Sequence, residues 1–389
     1  MTSREDPAAL GLTRFPDLAS RALAGSVIYA NDELFAEREN LIKPGRAVFS
    51  PEEFGHKGKV YDGWETRRRR EPGHDYAIIR LGVAGVVKGV VVDTSWFTGN
   101  YPPEASVEAT SVDGYPSPDE LEAADWVRVV PQSAIAGDSD NFFGVSDGRR
   151  FTHVRLSIYP DGGVARFRVH GIPMPDPRFM TGTIDLAALE HGGDVVDCSN
   201  LFYSSPVQLL LPGRARVMGD GWENARRRDA GNDHVTVRLG AMGRVRRVEI
   251  DTSHFVGNAP GWARLVGIDG AVGALDRPDG WTELVPRTRL QPDTRHLFRV
   301  RAEEPVTHVR LDVYPDGGLA RLRVHGEVDD DALGAATTSW LDALPEPHAR
   351  QVLTGDVGLS ADDADRLLAQ RPFARDVLPP AVLSALLDR

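Results

Sequence analysis

THVRLSIYPDGGVARFRVHG (152–171) and THVRLDVYPDGGLARLRVHG (307–326) agree at 16 of 20 positions. In the first, Val154, Leu156 and Ile158 alternate with His153, Arg155, Ser157 and Tyr159, the period of a half-buried strand. Pro160-Asp161-Gly162-Gly163 follows: a fixed φ, an Asp able to bond its own backbone, and two glycines free to take positive φ. Ala165, Phe167 and Val169 then alternate with Arg166, Arg168 and His170. The pattern predicts a β-hairpin, present twice, with Arg166 and Arg321 on its polar side.

Two further blocks lie upstream of each copy. DGWETRRRR (62–70) matches DGWENARRR (220–228), and DTSWFTGN (93–100) matches DTSHFVGN (251–258), both 158 residues apart. Near-constant spacing over three blocks means that a whole domain is duplicated. HDYAIIRLG (74–82) and NDHVTVRLG (232–240) are short, valine- and isoleucine-rich runs ended by glycine, as strands in sandwiches are. The expected fold is all-β: two tandem jelly-roll β-sandwich repeats, at 15–172 and 194–330, joined by a linker at 173–193. Residues 1–25 read as an irregular lead-in. Past residue 327 leucine and alanine take helical spacing, which predicts a small helical appendage at 335–389.

Composition bounds the function. The 389 residues are 41% hydrophobic, ordinary for a soluble protein with room for two or three cores. A net charge of −12 argues against nonspecific nucleic-acid binding. No apolar run approaches the roughly 20 residues of a spanning helix, and the first residues have no apolar signal region. The single cysteine, Cys198, allows no intrachain disulfide, which suits the cytoplasm. Arginine makes up 41 of the 45 basic residues, which discounts the run at 67–70.

With these blocks in view, the chain resembles the allantoicase family over about residues 15–330. DGWETRR, GHDY (73–76), DTSWFTGN, MGDGWENARR (218–227), DTSHFVGN and the two HVRL…YPDGG…RVHG stretches carry the resemblance. It implies a pair of galactose-binding-like sandwiches and hydrolysis of allantoate to ureidoglycolate and urea. That reaction needs an acid and a base, each contributing about 10²- to 10⁴-fold, and a bidentate grip on a carboxylate. Glu65, His74, Glu223 and His254 are the expected catalytic residues, and Arg68, Arg226, Asp75, Asp233, Asn100 and Asn258 the expected binding residues. His74 beside Asp75 has the pairing that fixes an imidazole tautomer, whereas the second copy has Asn232-Asp233, and His254 stands where the first has Trp96.

Neither a metal nor a cofactor is expected, since HExxH, CxxC and paired-His spacings are absent. The implied partners are the small molecule allantoate and further copies of the chain, with no nucleic acid and no membrane. The alternative is a non-catalytic tandem carbohydrate- or ligand-binding module. The appendage resembles the start of the ureidoimidazoline decarboxylase family in WLDALP (340–345), ARQVL (349–353) and RPF (371–373), but is too short for that enzyme's whole site.

Overall fold

A computed structural model describes residues 11–55, 58–276, 279–373 and 378–387. The acidic start of the chain (1–10) and short parts of both expected repeats and of the appendage (56–57, 277–278, 374–377, 388–389) lie outside the described residues. The chain divides into two compact units, residues 1–174 with 341–371 and residues 175–340 with 372–389.

The first unit is built on one 19-residue strand, Asp75–Asp93. Its first half pairs antiparallel with Ser26–Ala30 on one side and Arg150–Tyr159 on the other. Its second half pairs with Arg166–Pro173 and Asp140–Gly144. Arg150–Tyr159 continues the first sheet to Glu104–Thr110, and that strand to Val127–Ala134. One strand thus serves both sheets of a sandwich, turning from one to the other where its register slips between Arg80 and Gly85. The valine-rich run suits this role, because it is covered on both faces: Ile78, Ile79, Val87, Val90 and Val92 are all fully buried.

The second unit repeats the plan. Asp233–Asp251 pairs first with Asp194–Cys198 and Val306–Tyr314, then with Arg321–Val328 and Arg295–Arg299, slipping between Arg238 and Gly243. Trp262–Ile268 and Thr282–Arg289 extend its first sheet. The architecture is the expected all-β pair of jelly rolls.

The expected hairpin does not form. Arg150–Tyr159 and Arg166–Pro173 pair with opposite halves of the long strand and not with each other. The Pro-Asp-Gly-Gly turn instead carries the chain from one sheet to the other. Its own bonds go sideways: Gly163 N donates to Asn100 O at 2.8 Å, and Gly163–Val164 pairs with Trp64–Glu65. Alternation predicted the strands correctly, but it carries no information on which neighbour a strand finds.

The linker reading also changes. Thr183–Asp185 pairs with residues 325–327, and Asp185 Oδ1 accepts from Val324 N at 2.8 Å. In the first unit Asp17 Oδ1 accepts from Val169 N at 2.9 Å. DLAALEHGG (185–193) is thus the second counterpart of DLASRALAG (17–25), and both are built into their sandwiches. Arg166 and Arg321, expected on a polar face, are buried.

The C-terminal segment is helical, in Asp330–Ala343, Glu346–Gly355, Ala361–Leu368 and Pro380–Leu386. Among the described residues no helix is long and apolar enough to cross a membrane.

The bend of the long strand rests on glycine. A Cβ on Gly82 would lie 2.0 Å from Leu23 O, and one on Gly240 2.0 Å from His191 O. Those carbonyls end the short helical turns Arg21–Leu23 and Leu189–His191, so they cannot retreat. Gly82→Ala should lower the urea-unfolding midpoint by an equivalent of about 1–3 kcal/mol through overpacking. Gly45→Ala, with nothing within 4 Å of its added Cβ, should not. Equal midpoints for the two variants would refute the close approach.

Candidate active site

In each unit the three duplicated blocks close on one another. Arg166, only 1% exposed, donates through Nη2 to Asp62 Oδ2 at 2.6 Å and through Nη1 to Asp62 O at 2.8 Å. Arg321 Nη1 donates to Asp220 O at 2.7 Å, and burial pushes its pKa down to about 10. The buried Trp64 and Trp222 donate their indole N–H to Asp32 O at 2.7 Å and Asn200 O at 3.0 Å. Each duplicated Asp-Gly-Trp is thereby fastened at both ends, and the glutamate that follows is set in place.

That glutamate meets the asparagine of the DTS block. Asn100 Nδ2 donates to Glu65 Oε1 at 2.7 Å, and Asn258 Nδ2 to Glu223 Oε1 at 2.7 Å. The next residue ties the Pro-Asp-Gly-Gly turn: Gly162 N donates to Thr66 Oγ1 at 3.1 Å, and Gly317 N to Asn224 Oδ1 at 2.8 Å. These glycines have φ of 146° and 133°, and a Cβ on either would lie within 2.6 Å of a proline nitrogen. Asp161 Oδ2 accepts from Arg69 N at 2.8 Å, and Asp316 Oδ2 from Arg227 N at 2.8 Å.

In the second unit the group opens onto a cleft of about 560 Å³ lined by Tyr203, Glu223, Asn224, Arg226, Asn258 and Asp316, among others. Tyr203 N donates to Glu223 O at 3.2 Å, as Phe35 N does to Glu65 O at 3.2 Å. Arg226 and Arg68 are exposed, and among the described residues neither has a hydrogen-bond or ion-pair partner. The adjacent arginines are occupied: Arg69 Nη1 donates to Asp75 Oδ1 at 2.6 Å and Arg227 Nη2 to Asp233 Oδ1 at 2.7 Å. Glu65 is 9% exposed, and burial raises its pKa against the smaller opposing effect of the Asn100 bond.

The structure therefore brings Glu223, Asn258 and Arg226 into one cleft, and Glu65 and Asn100 into one bonded pair. Asp75 and Asp233 take another place: fully buried, they hold Arg69 and Arg227 beneath the site. The expected His74–Asp75 pairing does not exist, because Asp75 bonds Arg69. His74 is largely exposed, with its ring 4.7 Å from that of Tyr159; the partial cover of the ring, together with the charges of Arg155 and Arg69, lowers its pKa.

His254 already meets a loop carbonyl. Its φ is 71°, its N–H donates to Asp293 Oδ1 at 2.8 Å, and its Nε2 lies 3.0 Å from Ala215 O. Trp96, also at φ 71°, donates to Asp138 Oδ1 at 2.8 Å and through Nε1 to Ala47 O at 3.0 Å. The two rings do one structural job, pinning a loop carbonyl. Sequence reasoning missed Arg69, Arg227, Asn224 and Tyr203. The arginines were legible in the duplicated RR pair, whereas Tyr203 sits in a stretch where the copies hardly match. Among the described residues no group of three or more His, Cys, Asp or Glu is arranged to hold a metal ion.

The allantoicase repeat matches residues 16–174 and again 184–329. The chain belongs to the allantoicase family. The "Probable allantoicase" of Nocardia farcinica is 55% identical over 333 residues, covering 84% of this chain and 98% of that one. That of Streptomyces avermitilis is 50% identical, covering 84% and 89%. The crystal structure of allantoicase from Saccharomyces cerevisiae superposes with a TM-score of 0.68 at 35% identity, covering 80% of this chain and 92% of that one. The allantoicase repeats end before the helical segment, which begins at Asp330.

The environment of Glu65 has a consequence for stability. With its pKa raised on folding, its contribution is complete below the ordinary glutamate range, near 4.3, and is lost as pH rises through the folded value. Glu65→Gln keeps an acceptor for Asn100 and cannot ionise. The variant should melt above the parent at pH 8, with the gap closing toward pH 4.5. A variant that melts below the parent at pH 8 would contradict the burial argument.

Proposed function

We propose that the chain hydrolyses allantoate to ureidoglycolate and urea, and that Glu223 moves the proton in the cleft of the second unit. The observation that carries this reading is the meeting there of a carboxylate held by Asn258 and a guanidinium, Arg226, that has no partner among the described residues. Membership of the allantoicase family supports it.

The substrate carbon bears one carboxylate and two ureido groups. Arg226 grips the carboxylate through its planar fork, which lysine cannot present. Glu223 takes the N–H proton of the ureido group that stays and passes it to the nitrogen of the one that leaves. The C–N bond breaks as a C=N bond forms, and urea departs neutral. Water then adds to that carbon, its proton passing through Glu223 to the C=N nitrogen, and the carboxylate is regenerated. Asn258 fixes Oε1 and leaves Oε2 to act. Arg227, Asp233 and Asp316 are positioning residues, which hold the loop that carries Arg226. The single Cys198 agrees with a reducing cytoplasm as the place of action.

A second reading has an observation of its own. Glu65 makes the same asparagine bond, and its raised pKa suits a proton donor, so the first unit is the other seat for the chemistry. A urea-release assay on allantoate separates the two. Glu223→Gln should lower kcat by about 10²-fold or more with an unchanged melting curve. Full turnover in Glu223→Gln together with loss in Glu65→Gln would move the chemistry to the first unit, and no urea from the parent would end both readings.

The clamp is tested separately. Loss of a charge-assisted bond is worth about 1.5–3 kcal/mol, so Arg226→Lys should raise KM for allantoate at least tenfold. An unchanged KM would take Arg226 out of the carboxylate site.

A further inference from the structure

Asn224 is 5% exposed and lines the cleft between Glu223 and Arg226. Its Oδ1 accepts from Gly317 N at 2.8 Å, which fixes the orientation of the amide. Its Nδ2 is then a double donor with no acceptor among the described residues. A buried donor left unmet costs about as much as a lost hydrogen bond, so such groups are rare without a reason.

The first unit supplies the control. Thr66 holds the equivalent place and accepts from Gly162 N at 3.1 Å through its hydroxyl. Threonine makes the same tie to the turn, and its own hydroxyl proton goes back to Gly162 O at 3.5 Å, so no donor is left over there. The extra NH₂ of Asn224 does nothing that the scaffold requires, and it is present in the unit whose cleft also holds Arg226 and Glu223.

Resting on the reading above, we infer that Asn224 is a specificity-determining residue whose Nδ2 donates to the carbonyl oxygen of the substrate's ureido group. A ureido carbonyl is a strong neutral acceptor that meets this donor in the closed-off wall of the cleft. Arg226 recognises the carboxylate and Asn224 the urea-like end, so the second unit selects for a molecule bearing both. The first unit, with Thr66, lacks that discrimination.

The test uses the full-length chain, with urea and acetate as separate competitive inhibitors of allantoate turnover. Asn224→Thr should raise KM for allantoate about tenfold and weaken inhibition by urea by a similar factor. Inhibition by acetate, which reports Arg226 alone, should stay within twofold of the parent's. The melting curve should also be unchanged, since threonine already serves at position 66. If the threonine variant misfolds, Asn224→Asp keeps the acceptor for Gly317, removes the donor, and should lose urea inhibition in the same way. Equal loss of urea and acetate inhibition would indicate a merely structural role and overturn the inference, as would parental urea inhibition in either folded variant. Failure of the functional reading would look different: the parent itself would release no urea.

Discussion

The fold of each unit hangs on one buried guanidinium. Arg166 reaches from the strand after the Pro-Asp-Gly-Gly turn to both the backbone and the side chain of Asp62, and also donates to Gly45 O at 2.9 Å. Arg321 does the equivalent with Asp220 O and Gly213 O. An arginine sunk this far is tolerable only because its N–H groups meet fixed oxygens. Those oxygens belong to a long irregular segment with little regular structure of its own. The segment is therefore held by the side chain of a strand rather than by a ladder. The Trp–Glu pair that it delivers lands beside the turn and the DTS block, which is why three blocks far apart in sequence make one site.

This explains what could be read from the chain alone. Alternation and valine content disclosed the strands, and the fixed spacing disclosed the duplication, because both are local or periodic signals. The hairpin expectation failed because adjacent strands joined by a tight turn usually pair, and here the turn's hydrogen bonds are claimed by Thr66 and Asn100. The segment 185–193 looked like linker because its match to 17–25 is short. Its role rests on one aspartate bonding a strand backbone, and no periodicity announces that.

The site was legible to the level of residue type but not of partner. Glu65, Glu223, Asn100 and Asn258 were visible as duplicated polar positions, and their mutual bonds follow from the fold. His74 and His254 were chosen for their chemistry. Yet a histidine's availability depends on what its ring already touches, and His254 is engaged by a loop carbonyl. Among consecutive arginines, the choice between the one that binds outward and the one that braces inward needs the position of a buried aspartate, here Asp75 or Asp233.

Duplication offers a further lever, because positions with equal geometry and different residues separate scaffold from surplus. Trp96 and His254 both donate to a backbone carbonyl, so their difference is neutral to the fold. Asp32 and Asn200 both accept backbone N–H groups through Oδ1. The extra charge of Asp32 is met by Arg67, and the second unit has Ala225 where Arg67 stands, so the exchange is compensated inside the chain. Thr66 and Asn224 break this pattern. They share the bond to the turn glycine, but the additional donor of Asn224 has no compensating acceptor among the described residues. The Trp96–His254 and Asp32–Asn200 exchanges are absorbed internally, whereas the Nδ2 of Asn224 is left for what enters the cleft.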